Sequence, residues 1–403
     1  SCRNAAHGVC TMSVSIGILT HSTNPRGGVV HAMALAETLC DAGYNATLIA
    51  PDETGAGFFR TPRCPVWCIP VMGARSLPAL VEHRISEVRQ ALRVHDFDVL
   101  HAQDPITANA LADLVHEGWI PGFARTVHHL DSFEHPELAR RQERGFMAAS
   151  EVLSVSNLWK NVLQDTHGCT APVVGNGVDS KRFNPLADER DTALRVRYHL
   201  PEGKRLILSV GGIEPRKNTH LLLEAFSELC QEQADLHLVV AGGASLLDHS
   251  AYRAAFDRQL HESGLTTQVS ITGPVADEDM PALYRQAAVL AYPSQMEGFG
   301  LCPLEALACG TPVIVPRAAP FTEHLSAADA LWCDPAEPHS LLRSLRAALS
   351  AENQAHFLTA GPITAQRFDW SAVARRHFPA YRRLAALAGI DARAFGDLSS
   401  CPK

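Results

Sequence analysis

The 403-residue sequence has no apolar run approaching the roughly 20 residues needed to cross a bilayer, so no transmembrane helix is expected and only peripheral contact with lipid stays open. It has no lysine-rich or arginine-rich run, and its formal net charge is -8. The basic footprint that tracks a nucleic-acid backbone is therefore missing. Charged residues make up 19% against 46% hydrophobic, a balance that excludes a disordered chain. Short tandem repeats are missing too, which excludes solenoids and propellers. Cys64 and Cys68 flank Pro65 and Trp67, but no second ligand pair accompanies them, and no metal is expected. Eleven cysteines is an odd count, and Cys40, Cys230, Cys302 and Cys309 sit inside apolar patterns, where a reduced core thiol is the expected state. A reducing, cytoplasmic compartment follows. The opening SCRNAAHGVCT lacks a basic start followed by an apolar run, so it is not read as a signal peptide; Met12 is the expected start, with 1–11 and 389–403 as flexible tails.

What is present is enough apolar residue for two cores of roughly 150 to 200 residues each. Val14–Thr20 is a short β-branched run; it leads through a turn to Gly27-Gly28 and a helical pattern that ends at Gly43. Ala46–Ala50, Asp98–Ala102, Ala124–His128, Val152–Ser156 and Pro172–Val174 read as further strands with helices between, a parallel α/β layer structure. Gly175, Gly177, Pro185 and the charged stretch Asp188–Arg197 break the alternation and are the expected linker. The pattern restarts at Arg205–Val210, followed by Gly211-Gly212, a helix from Asn218 to about Glu232, strands Leu236–Ala241, Val269–Thr272, Val289–Tyr292 and Pro312–Val315, and a closing helix near Trp370–Leu387. The expected domains are 12–182 and 183–369, with the closing helix, about 370–388, packing back on the first.

Ligands of open parallel sheets bind off the carboxyl ends of the strands, where loops enter helix N-termini. Gly27-Gly28 lets backbone approach a ligand, though a double glycine before a helix is also ordinary turn chemistry. In GGIEPRKN, Arg216 and Lys217 stand after Gly211-Gly212 and just before a helix, two cations that suit a diphosphate or simply a solvated loop. The third segment is the strongest: a strand runs into Glu297, Gly298-Phe299-Gly300-Leu301, then Pro303 at a helix start with Glu305 in its first turn. Two carboxylates eight positions apart, with free amides between, can grip different parts of one elongated ligand, and a carboxylate accepts from neighbouring sugar hydroxyls. In RTVHHLDSF a strand delivers His128 and His129 beside Asp131; alternation along a strand lets only one of the two face a cleft.

In this order, the glycine loop, TVHHLD, VVGNGVDSKRFNP, GGIEPRKN, ITGPV, EGFGLCPLEALACGTPV and FDW, the chain resembles the retaining GT-B glycosyltransferases of family 4, glycosyl transferases group 1. That resemblance implies two Rossmann-like domains whose parallel sheets face each other across a cleft. It implies that Arg216 and Lys217 hold the donor diphosphate, that Glu305 takes the ribose hydroxyls, and that Glu297 sits by the transferred sugar. The amides of Gly298, Phe299, Gly300 and Leu301 would meet sugar and phosphate, Gly212 would border the diphosphate, and Gly273 and Val275 would lie by the base. His128 would stand beside the reacting sugar, with Gly27 and Gly28 closing over the diphosphate. It further implies transfer of a hexose with retained configuration, no metal and no other cofactor, and a nucleotide-sugar donor, by default UDP-glucose, with a hydroxyl acceptor.

For the acceptor side, His31, His129, Asp131, Arg140, Arg141 and Lys160 are the candidates, and the cations there would suit a phosphorylated sugar. Sucrose-phosphate synthases belong to the family, which makes a hexose phosphate the named alternative. An epimerase of nucleotide sugars or a sensor that binds the donor without releasing nucleotide are alternatives of another class, since fold alone does not choose the reaction.

Overall fold

The computed structural model describes residues 14–74, 76–243, 249–391 and Phe395. Most of the two expected tails lies outside those residues. Two six-stranded parallel sheets carry the fold. The first contains β1 (Ser15–Leu19), β2 (Asn45–Asp52), β3 (Val66–Pro70), β4 (Val99–Ala102), β5 (Ala124–Val127) and β6 (Glu151–Ser154) in the order β3-β2-β1-β4-β5-β6. The second contains β7 (Arg205–Val210), β8 (Leu236–Ala241), β9 (Val269–Gly273), β10 (Ala287–Ala291), β11 (Val313–Pro316) and β12 (Leu331–Cys333) in the order β12-β11-β10-β7-β8-β9. Each sheet therefore has one doubly wound order, and the two together are the GT-B architecture. The central strands are short apolar runs because helices cover both their faces: every residue of β4, β5 and β8 is buried.

Reversal of strand order opens a crevice at one place in each sheet, between β1 and β4 and between β7 and β10. All the loops singled out by sequence leave the carboxyl ends of these strands or of their neighbours. The closing helix, Trp370–Leu387, buries Ala374, Phe378, Tyr381, Leu384 and Ala385 against the helix Gly27–Asp41 and the first sheet. The Tyr381 hydroxyl lies 2.9 Å from His101 Nδ1 on β4, which fixes this helix to the first sheet although it follows the second in sequence.

Several expectations need correction. The charged stretch read as linker contains a helix, Glu189–Arg197, started by a capping box in which Asp188 accepts from the Arg190 amide and Asp191 reaches back to the Asp188 amide. Pro172–Val174 is no strand; Val173 makes a single bridge to Ser154. Two edge strands, β3 and β12, were not read at all. The region after the closing helix is no free tail at Phe395, whose ring is fully buried against Tyr44, Phe378 and Tyr381. Cys68 lies within β3 and Cys64 packs into the first core; among the described residues no three His, Cys, Asp or Glu side chains are grouped to hold a metal.

Candidate functional site

The second sheet builds one closely paired group of polar side chains. Gly211 and Gly212 follow β7 with φ of 120° and 78°, in the region that only glycine adopts freely. They pack backbone to backbone on Gly242 and Gly243 after β8: a Cβ on Gly212 would lie 2.8 Å from the Gly243 carbonyl oxygen. This close approach turns the chain into the short 3-10 segment Pro215–Lys217, and Asn218, at φ 57°, then starts the helix Thr219–Glu232. Arg216 and Lys217 are thereby aimed at the loop after β10.

Glu297 lies on that loop and is 9% exposed, and its Oε1 accepts from Arg216 Nη1 at 2.8 Å and Lys217 Nζ at 2.7 Å. Burial opposes ionisation of this carboxyl, but the Lys217 ammonium and the Arg216 guanidinium outweigh it and hold the pKa down to about 2. Lys217 is itself enclosed: its ammonium donates to the Tyr292 hydroxyl and stands 4.3 Å from the centre of that ring. Arg216 keeps 35% of its side chain exposed, so of the two cations it is the one with a face toward solvent. Arg216 also lies 3.7 Å from the buried Glu214, so two carboxylates face the two cations, and Arg216, the more exposed of the cations, is the one open to an anionic ligand.

The loop Gly298–Leu301 then enters the helix Leu301–Ala308, two residues earlier than Pro303 had suggested. No side chain caps this helix. Gly300 has φ 101°, and a Cβ there would lie 2.5 Å from the Phe321 ring. Glu305 accepts from the Tyr284 hydroxyl at 2.7 Å; burial raises its pKa, with the Tyr284 bond and Arg182 opposing. Gly273 closes β9 at φ 68° with open space where a Cβ would be, and Val275 packs against the edge of the second core.

The first sheet meets this loop directly. A Cβ on Gly298 would lie 3.2 Å from the His128 carbonyl carbon and closer still to its oxygen, so the glycine is what lets the two backbones touch. Trp159 of the first domain donates from Nε1 to the Glu297 carbonyl at 3.0 Å. His128 is half-buried, with its Nε2 2.9 Å from Gln103 Oε1 on the loop after β4. Burial, with His31, Arg125, His129 and His101 nearby, pushes its pKa well below the ordinary value, so it is neutral. With Nε2 donating to Gln103, Nδ1 keeps its lone pair. A Cβ on Gly28 would touch the His128 ring at 3.3 Å, while Gly27 faces open space.

The acceptor candidates divide. Asp131 pairs with His129 at 3.4 Å; burial works against its ionisation, while His129 and, across the gap, Arg216 favour it enough to lower its pKa. Both residues belong to the group. His31 does not face a cleft: it is fully buried, with Nδ1 2.5 Å from Asn176 Oδ1 and its ring packed on His128, Trp370 and His377. Arg141 is held by Glu82 at 2.8 and 2.9 Å and Arg140 by Glu137, so neither is directed at the strand ends. Lys160 is exposed on the helix Asn157–His167. Missed by sequence were Gln103, Trp159, Tyr284 and Tyr292, which orient the others, and a group at the ends of β1, β4 and β5: His21, 3.9 Å from Asp104, with Arg26 and the buried Arg125 near it. A polar HAQD sequence at a strand end before a proline was their one available signal.

Residues 190–360 match the family described as glycosyl transferases group 1, and residues 26–182 match the glycosyl transferase 4-like domain. The D-inositol 3-phosphate glycosyltransferase of Salinispora arenicola is 31% identical over 54% of this chain and 53% of its own length. The mannosylfructose-phosphate synthase of Agrobacterium fabrum is 30% identical over 49% of this chain and 44% of its own. The chain thus spans about half the length of these curated relatives. The sucrose-phosphate synthase structure from Thermosynechococcus elongatus superposes with a TM-score of 0.75 at 20% identity, covering 93% of this chain and 99% of that one.

Proposed function

Since the chain belongs to the glycosyl transferases group 1 and is a glycosyltransferase of GT-B fold, we propose that it moves a hexose from a nucleoside-diphosphate sugar to a hydroxyl acceptor with the anomeric configuration retained. One observation carries the reading: Glu297, Arg216 and Lys217 form a buried ionic group on the loop whose glycine abuts the His128 backbone. Arg216 and Lys217 hold the diphosphate and offset the charge that develops as it leaves. Glu305 takes the ribose hydroxyls, the free amides from Gly298 to Leu301 meet sugar and phosphate, Gly273 and Val275 border the base, and Gly27-Gly28 close over the diphosphate. His128, being neutral, meets a sugar hydroxyl without adding charge beside two cations.

In this reaction the bond from C1 to the diphosphate oxygen breaks on the face where the acceptor oxygen bonds to C1. The acceptor proton passes to the departing phosphate oxygen, so no carboxylate nucleophile and no metal is required. Glu297, ionised throughout the neutral range, keeps both cations in place. UDP-glucose is the default donor, and a reducing, cytoplasmic setting is consistent with the eight cysteines free among the described residues.

A phosphate-bearing acceptor is favoured by the names of the relatives, each of which contains a phosphorylated sugar or inositol. With Arg140 and Arg141 directed away from the strand ends, its phosphate falls to the strand-end group of His21, Arg26 and His129. A thermal-shift screen of UDP, GDP and ADP sugars finds the donor, because a ligand of the folded state raises apparent stability by mass action. Turnover is then followed with fructose 6-phosphate, inositol 3-phosphate and their unphosphorylated forms, with and without a chelator. Donor consumption that is independent of every hydroxyl acceptor, or that is abolished by chelation, would refute the reading.

A further inference from the structure

A cavity of about 320 Å³ is lined by residues of both domains and contains none of Arg216, Lys217, Glu297 or Glu305 in its walls. It shares Phe299 with the donor loop, but on the side of the ring covered by His324, which stacks at 4.4 Å and 1° from parallel. Its floor is the start of the 11-residue helix Asn157–His167. The helix-start residue Ser156 is 1% exposed, lines the cavity, makes no capping bond, and its Oγ has no hydrogen-bond partner among the described residues. The His324 Nε2 on the opposite wall is likewise enclosed without a partner. Arg367 and Arg376 supply two cations, the first paired with Asp329 at 2.9 Å and the second donating to the Val174 carbonyl at 2.9 Å; Asp369 also lines the space.

One anion already uses part of this geometry. Glu323, which belongs to the second domain, accepts from the Asn157 and Leu158 amides at 2.7 Å each. Its carboxylate takes the helix-start amides but leaves Ser156 Oγ unused and both arginines committed elsewhere. A phosphate has more acceptor oxygens and more charge, and could use the amides, Ser156 Oγ and Arg376 together.

We propose that this cavity is an anion site separate from the donor cleft, taking inorganic phosphate or the phosphate of a small monoester in exchange for the Glu323 carboxylate. The two anions compete for the same amides. Binding therefore releases Glu323, removes one of the contacts that tie the domains together, and shifts the protein toward a more separated arrangement. Apart from Phe299, the residues of this site lie outside the donor site, whatever the donor.

The test is calorimetric titration of the intact chain with inorganic phosphate and, separately, glycerol 3-phosphate, at constant ionic strength. Glu323→Gln removes the competitor's charge and is expected to tighten phosphate binding about threefold or more. Ser156→Ala and Arg376→Gln are expected to weaken it about fivefold or more each, with melting temperature in the absence of phosphate nearly unchanged for Ser156→Ala, which deletes one unpartnered oxygen. Tighter binding of glycerol 3-phosphate assigns the site to monoesters, and tighter binding of inorganic phosphate to the free ion. Phosphate bound only at the diphosphate cations would be insensitive to Ser156→Ala and Glu323→Gln; that result, or no binding at all, would overturn the proposal. Should Arg376→Gln fail to fold, Arg376→Lys tests the same cation.

Discussion

The contact between Gly298 and the His128 carbonyl allows a sharp test of how the two domains cooperate. Gly298→Ala adds one methyl at a place where its position is already taken by backbone oxygen, about 1 Å inside ordinary contact. Gly298 is not among the positive-φ glycines, so alanine can adopt its backbone without conformational strain. The obstructing atom is main chain at the end of β5 and cannot rotate away, so relief has to come from moving the loop or the domains apart. Overpacking of this kind costs about 1 to 3 kcal/mol. If the penalty falls on the contacting arrangement alone, the population of that arrangement drops about 5- to 150-fold. Most donor contacts in the proposed reading lie on the second domain, with Gly27-Gly28 and His128 adding to them from the first, so donor affinity, measured by calorimetry, falls by much less than kcat. Turnover needs His128 beside the sugar and falls with the population, while each domain keeps its own core and the melting temperature changes little. A kcat within twofold of the parent, or a donor affinity that collapses in step with kcat, would refute the idea that this backbone contact brings the reacting groups together.

The other predictions separate binding, transfer and protonation. Lys217→Ala is expected to slow single-turnover transfer about 100- to 1000-fold with a smaller change in donor affinity, whereas Glu305→Ala weakens donor affinity about tenfold or more and leaves the transfer step of bound donor nearly intact; identical profiles for the two variants would undo the assignment. The Glu297 carboxyl is depressed from 4.5 to about 2, so its stabilising contribution is complete above pH 4.5 and is lost as pH falls toward 2. The contribution is about 3 kcal/mol, and Glu297→Gln should flatten denaturant-measured stability over that window while lowering it at pH 7. His377 is fully buried, bonded only within its own helix, and lowered from 6.5 to about 3 by burial, with His31 and Arg376 adding to the effect. The unfolded chain takes up that proton first, so stability is lost as pH drops below 6.5; His377→Leu should retain its melting temperature at pH 8 and lose less of it between pH 7 and 5 than the parent.

What could be read from the sequence was local, and what could not was mostly relational. The central strands β1, β4, β5, β7 and β8 were legible because burial on both faces makes them short uninterrupted apolar runs. Glycines after β7 and before the helix Leu301–Ala308 were legible because positive φ leaves a residue-type signature. The edge strands were lost for the opposite reason: VWCIP is only partly covered, carries a proline and drew attention for its cysteine, and β12 is three residues long. The helix Glu189–Arg197 was written in its capping box, yet its run of charged residues imitated a linker. Side-chain direction was harder still. His31 follows the glycine loop as an acceptor contact might, but helical periodicity turns it inward, onto Asn176 and Trp370.

The contacts between domains had no local trace whatever. Glu323 meets the amides of Asn157 and Leu158 across 166 and 165 positions, and Trp159 meets the Glu297 carbonyl across 138. Each residue, viewed in its own segment, is an ordinary surface carboxylate or a core aromatic. A doubly wound sheet specifies where its own crevice opens, because strand order and loop position are properties of one domain. How two crevices face each other depends on a few points where backbones can approach, and Gly298 is such a point. The same reasoning explains why Arg216, Lys217 and Glu297 stand out in the sequence as a group while their orienting partners do not. Arg216, Lys217 and Glu297 lie on loops with recognisable glycine and proline punctuation, whereas Tyr292 at the end of β10 and Trp159 on a helix act through hydroxyl and indole groups that only the assembled cleft brings within reach.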